Sequence, residues 1–222
     1  MGIAEAGKTW LVVAAESREF DGILKRFGSS VPLPWKAEFA REARWKGDRW
    51  LMVANGPGPR LVEKALEKRV DVSGVISTGF CGALDPALKV GDIVIEDAGK
   101  NAGATRKILS MDRVAVTAAE KAELRSQTGA AAIEMESAAV SAKAIEWGVP
   151  FYCVRAVSDT ATDSLPLDFN FYRDADGRFS RGRIAMAALS RPFERIPALL
   201  RLDRNCRIAA QSLGDFFADC RF

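Results

Sequence analysis

Acidic side chains gather where the short apolar runs of this chain stop. Glu16 and Glu19 follow Trp10–Ala15, Glu134 and Glu136 follow Ala131–Ile133, and Asp159, behind Ser158, follows Phe151–Val157. Arg155 lies inside the third run, where an unpaired guanidinium is costly, so it needs an anionic partner. The chain has no histidine, which excludes Ser-His and Cys-His nucleophilic machinery and removes the commonest zinc ligand. Acid–base chemistry therefore falls to carboxylates, Lys, Tyr or Cys. Spacing alone leaves a plainer account open, with Ser158 or Asp159 a helix cap, Arg155 a structural ion pair, and Glu134 and Glu136 solvated.

The elements that must position these groups are legible from periodicity. After Glu136, Val140, Ala144 and Trp147 share one helical face until Gly148 and Pro150 stop the helix. Glu136 thus sits at a strand-to-helix junction and Asp159 at the carboxyl end of the next strand, the edge where open α/β sheets form ligand crevices. Trp10–Ala15 reads as a buried strand, with a helix of Phe20, Ile23, Leu24 and Phe27 closed by Gly28. Trp35, Ala37 and Phe39 alternate with polar residues and Lys46-Gly47-Asp48 turns into Trp50–Ala54, which predicts a hairpin.

The glycine-rich segments divide in meaning. Asn55–Pro59 cannot be a phosphate cradle, because Pro57 and Pro59 lack the N–H groups one needs; it reads as a tight turn beside the site. A helix with Leu61, Val62, Ala65 and Leu66 follows, then a strand over Val75–Thr78 and a loop over Gly79–Pro86. Lys89–Asp92 turns into the strand Ile93–Glu96, and 98–107 reads as an exposed basic loop. Thr117 and Glu120 make a capping box for a helix over 118–126. The Asp174–Gly177 cluster lacks the bidentate acid of a calcium loop, so no metal site is expected. Phe169, Phe171 and Tyr172 either cover a substrate or pack as a small satellite core. Pro192 and Pro197 then punctuate the chain before a last helix with Cys206, Ala209, Ala210, Leu213 and Phe217 inward.

A length of 222 residues at 48% hydrophobic content suits one core, hence one domain over 1–222 of α/β class. A net charge of +3, with basic residues interleaved among acids, argues against a nucleic-acid partner. No run approaches the ~20 apolar residues of a membrane span and no leader pattern is seen. Cys81, Cys153, Cys206 and Cys220 lack CxxC spacing and fit reduced thiols, so a cytoplasmic setting is expected.

Met135-Glu136 ahead of an Ala-rich helix, followed by Val154-Arg155-Ala156-Val157-Ser158-Asp159-Thr160-Ala161, resembles the signature of the nucleoside phosphorylase/nucleosidase superfamily. Its purine-cleaving members include the methylthioadenosine/S-adenosylhomocysteine nucleosidases. Ser77–Pro86, through Val90-Gly91-Asp92-Ile93-Val94, resembles the same family's glycine loop and following strand. The likeness covers roughly residues 10 to 161. It implies a three-layer α/β/α fold with a central mixed, partly barrel-like sheet, with 162–222 as a divergent lid and C-terminal helical tail. It implies a homo-oligomer and a small-molecule nucleoside substrate, with no cofactor beyond phosphate if the reaction is phosphorolysis.

By the same resemblance, Asp159 is the general acid toward N7 of a purine, Glu136 takes the ribose hydroxyls and Met135 packs on the sugar. Ser158 orients Asp159, Arg155 holds the water or its carboxylate neighbours, and Glu134, Gly79 and Phe80 border the substrate. An acid of this kind must keep its proton at neutral pH, which burial or a neighbouring anion would favour. The glutamate that orients the attacking water precedes an apolar residue in the family, which points to Glu19 before Phe20, with Glu16 the rival. Purine and uridine phosphorylases are similar in placing an arginine just before the glycine loop. Ser77-Thr78-Gly79 has none, so hydrolysis of an adenine nucleoside is expected. Phosphorolysis using Arg60 or a partner subunit, or a silent nucleoside-binding protein, are the alternatives. The tail from Ser190 to Phe217, with Lys121–Arg125, resembles the hopanoid-associated phosphorylases and brings a bulky apolar 5′ substituent into consideration.

Overall fold

The computed structural model describes residues 7–97, 105–220 and 222. Strand β1 (Thr9–Ala14) is parallel to β4 (Asp48–Ala54) on one side and to β5 (Gly74–Ala83) on the other. Strand β9 (Phe151–Asp159) is parallel to β5 along nearly its whole length. The central strands are buried on both faces, and β1 with the later part of β4 reads as a continuous apolar run for that reason. The two-residue strand period then divides their side chains. Trp10, Val12 and Ala14 pack with Phe20, Ile23 and Phe217 on one face. Leu11 and Val13 pack with Val62, Leu66, Val140 and Trp147 on the other.

Around this centre, β2 (Ser30–Pro32) and β3 (Phe39–Trp45) extend the β4 edge in antiparallel fashion. Strand β6 (Ile93–Asp97) lies antiparallel on β9, while β7 (Ile108–Ser110) and β8 (Ala132–Glu134) continue from the end of β5. The nine strands form one mixed sheet that forks at β5 and, among the described residues, does not close into a barrel. Helices α1 (Asp21–Phe27) and α6 (Pro192–Asp219) cover one face, and α2 (Pro59–Ala65) with α4 (Ser137–Trp147) the other. Helix α3 (Ala118–Thr128) packs beside β8, with Leu124 against Ile133, and α5 (Arg181–Leu189) joins α6 near the C-terminal end. Gly22 permits the close packing of α1 on α6, since a Cβ there would lie 1.8 Å from the Ala210 carbonyl oxygen.

Three local expectations change. The alternation from Trp35 becomes strand only at Phe39, where β3 begins, and the expected hairpin forms between β3 and β4 across Lys46-Gly47; two tight turns keep Trp35 and Ala37 out of the ladder, and Trp35 Nε1 donates to Ala65 O on α2 at 2.9 Å. Residues Gly79–Ala83 are strand rather than loop, because each pairs with β9 or β8. Pro197 does not end a helix; α6 starts at Pro192 and runs through it, forfeiting a backbone bond near its exposed end. Residues 98–104 of the predicted basic loop lie outside the described residues.

Candidate active site

The carboxyl end of β1 delivers Glu16 and Glu19 through a single 3-10 turn, Ser17–Phe20. Glu19 reaches back to accept from the Glu16 backbone N–H at 2.8 Å and accepts from Phe80 N–H at 2.7 Å. It is 4% exposed, and burial raises its carboxyl above the usual range against the pull of those bonds and of Arg155. Glu16 also borders the cavity, but its carboxylate is taken by Arg18 at 2.6 Å. Of the two rivals, Glu19 is the more deeply buried and is held by backbone amides rather than by a cation. Gly79 makes this possible: at φ 133° it lies where a Cβ would stand 2.5 Å from Glu19 Oε1 and 2.9 Å from Arg155 Nη1.

Behind the site, Arg155 is fully buried and fills the demand for anionic partners twice over. Its guanidinium pairs with Glu134 and, at 3.4 Å, with Glu136. It also donates to Thr78 O at 2.9 Å and to Ser77 Oγ at 2.7 Å. Burial disfavours its charge, but Glu134, with Glu136 and Glu19 beyond it, outweighs that and holds the guanidinium more firmly protonated. Burial likewise acts to raise Glu134, yet Arg155 and the hydrogen bonds win, and its carboxyl stays below the ordinary value. Both Glu134 oxygens are spent, on Arg155, on the Glu136 and Ser137 N–H groups and on Ser137 Oγ, so this residue anchors the start of α4.

Glu136 is different. Its Oε1 accepts from Gly58 N–H at 2.9 Å, the one amide between the two prolines of the tight turn. Burial pushes its carboxyl up to about 8; Arg155 opposes that shift, and neighbouring Glu134 and Glu19 add to it.

At the end of β9, Ser158 Oγ donates to Asp159 Oδ1 at 2.7 Å. The other oxygen meets Lys121 Nζ at 2.5 Å, so of the two conditions expected, burial or a neighbouring anion, burial is met, while the group at this oxygen is a cation. Lys121 is wholly buried, and its remaining donors go to Thr160 O at 2.8 Å and Asp163 O at 3.0 Å. Nothing singled Lys121 out as a site residue, although a signal existed. It lies three residues before Leu124, on the inward face of a capped helix, where a lysine requires a buried acid.

These groups open onto one cavity of about 730 Å³, within the range that holds small ligands. Glu19, Phe80, Glu134, Met135, Glu136, Ser158 and Asp159 line it, while Arg155 and Gly79 stand behind the wall as supports. Glu136 and Asp159 therefore share one space. The tail contributes Phe179, Ile184, Leu199 and Leu202 to this wall, and Phe169, left open between two roles, borders it too. Phe169 packs edge-on to Phe179 with ring centroids 6.0 Å apart, whereas Phe171 is 73% exposed. Arg18, Arg113 and Arg181 are the cations at the wall, and Arg60 is exposed and outside it.

A mixed α/β sheet whose strand exits deliver buried carboxylates into one nucleoside-sized cavity defines a class of protein. The profile of the phosphorylase superfamily matches residues 12–108 and 104–189, and the chain belongs to that superfamily, as an enzyme of the nucleosidase or nucleoside phosphorylase kind. Among solved structures it is similar to the futalosine hydrolase of Helicobacter pylori strain 26695, at TM-score 0.68 and 17% identity over 96% of this chain and 97% of that one. The 5'-methylthioadenosine/S-adenosylhomocysteine nucleosidase of the same organism gives TM-score 0.67 and 16% identity, again over 96% and 97%. That of Neisseria meningitidis, in complex with methylthio-immucillin-A, gives 0.65 and 19% over 96% and 100%. At these identities the likeness is one of fold. No helix among the described residues is long and apolar enough to cross a membrane.

Proposed function

We propose that the chain cleaves the N-glycosidic bond of an adenine nucleoside by hydrolysis, releasing the free base. The observation that carries this reading is that Glu19, Glu136 and Asp159, from three separate strand exits, line one cavity. Cleavage builds positive charge on the ribose carbon and negative charge on the departing base, so the reaction needs anions at one end and a proton source at the other. Asp159 relays a proton from the Lys121 ammonium on one of its oxygens to N7 as the bond breaks, with Ser158 fixing the other oxygen. Glu136 takes the ribose hydroxyls, and that pairing strengthens as the sugar becomes cationic. Glu19 orients water toward the ribose carbon and takes its proton, which completes the balance. The names of the similar nucleosidases support adenine as the base. Ile184, Leu199 and Leu202 in the same wall support an apolar 5′ substituent.

Hydrolysis is favoured because Ser77-Thr78-Gly79, the segment before which phosphorylases place an arginine by resemblance, holds none, and Ser77 is occupied in bonding Arg155 internally. Phosphorolysis is the second reading, favoured by Arg18, Arg113 and Arg181 at the cavity wall. The protein is to be incubated with a panel of purine and pyrimidine nucleosides, with and without phosphate, and the base and sugar identified. Adenine and free ribose sugar, at a rate indifferent to phosphate, are expected. A sugar phosphate would transfer the assignment to the second reading, and no base release from any nucleoside would refute both.

A further inference from the structure

The outward side of the α5–α6 corner gathers most of the exposed large apolar side chains among the described residues. Met186 is 73% exposed, Leu189 68%, Phe193 95% and Leu200 65%, with Ile196 at 37% beside them. At the helical rotation per residue, Phe193, Ile196 and Leu200 form one stripe along α6, and Arg204 and Arg207 continue it. The apolar residues cluster at the corner itself, and arginines flank them on both helices. Residues 181–207 hold seven arginines against two acids, Glu194 and Asp203. Six of the seven are exposed, and Arg195, the other, ties the corner together by donating to Ala187 O at 2.7 Å. Arg201 and Arg204 take part in no ion pair among the described residues.

We propose that this corner is a docking element for an anionic lipid surface, with Phe193 and Leu200 entering the headgroup boundary and the arginines meeting lipid phosphates. The inference does not depend on the reaction proposed above. An apolar tip with a basic collar is the pattern of elements that lie in a membrane interface, and apolar side chains of this size so fully exposed mark an interaction site. A second copy of the chain fits the face poorly. Closed dimers bring identical patches together, which would set one excess of arginines against another.

The far half of α6 is locked in the core through Ala209, Leu213 and Phe217, so the corner is held rigidly relative to the cavity. Leu199 and Leu202 on the inner side of the same helix line that cavity. Docking would therefore place the cavity wall at the level of the lipid headgroups.

The test is co-sedimentation of the full chain with vesicles of phosphatidylglycerol and phosphatidylcholine, against vesicles of phosphatidylcholine alone. Binding to the anionic vesicles is expected, with release at about 0.5 M salt. The double variants Phe193→Asp/Leu200→Asp and Arg201→Glu/Arg204→Glu should each weaken it about tenfold or more. All four side chains are exposed, and circular dichroism confirms that the variants fold. Absence of binding to the anionic vesicles would overturn the proposal. So would binding untouched by the first variant, which would indicate a general polyanion site. A vesicle-independent dimer in analytical ultracentrifugation that Phe193→Asp/Leu200→Asp dissolves would assign the face to self-association instead.

Discussion

Glu136 couples the fold's stability and the proposed reaction to the same proton, with opposite signs. Its carboxyl ionises near the ordinary 4.5 in the unfolded chain, while burial pushes it up to about 8 in the folded one. Between those values the folded state binds more protons than the unfolded state, so this group's contribution is fully present below about 4.5 and is lost as pH rises through about 8. At about 1.4 kcal/mol per pH unit, raising the pH from about 5.5 to about 8.5 costs the wild type roughly 3 to 4 kcal/mol from Glu136 alone.

Glu136→Gln retains an oxygen for Gly58 N–H and removes the ionisation, so the variant escapes this loss. Urea unfolding of both proteins across that pH range should show their stability difference widening by about that amount in favour of the variant. Activity should move the other way. The ionised form is the stronger acceptor for ribose hydroxyls, so kcat/KM of the wild type should rise through about pH 8. The variant should lack that limb and lose about 10- to 100-fold at high pH, the worth of a charged over a neutral hydrogen bond. Parallel stability curves, or a limb near pH 8 that survives in Glu136→Gln, would refute the reasoning.

Asp159→Asn should cost about 10²- to 10⁴-fold in kcat, the usual worth of a positioned acid, while leaving the affinity for a non-cleavable nucleoside analogue nearly unchanged. Near wild-type turnover would remove Asp159 from the chemistry. Lys121→Met strands a buried carboxylate and leaves the Thr160 and Asp163 carbonyls without their donor, so it should destabilise the fold by about 3 to 5 kcal/mol in denaturant titrations. Combining it with Asp159→Asn should cost less than the sum of the two, and strict additivity would mean that the pair does not act as a unit. Gly79→Ala combines a positive φ with a Cβ driven into Glu19 and Arg155. It should lose both stability and base release, and a variant folded and active like wild type would show that Glu19 is not held where the geometry puts it.

Periodicity carried the reading of α4, β9 and α6 because each buries an uninterrupted stripe whose spacing is visible locally. It placed the β3–β4 hairpin but failed at Trp35 and Ala37, where alternation mimicked a strand and Trp35 serves instead as an anchor on α2. It also failed at Gly79–Ala83, where glycines read as a loop but pair with β9. In both places partners distant in sequence overrode the local pattern.

The chain by itself determined that acid–base work falls to groups other than histidine, and that the acids stand at strand exits. Those are matters of composition and of where apolar runs stop. Only the tertiary structure decided which acid faces which neighbour. The contacts that shape the site join Asp159 to Lys121 across 38 residues, Glu19 to Phe80 across 61 and Glu136 to Gly58 across 78. Such pairs exist because β1, β5 and β9 lie side by side with parallel ends, an order set by the packing of both sheet faces and written in no local spacing.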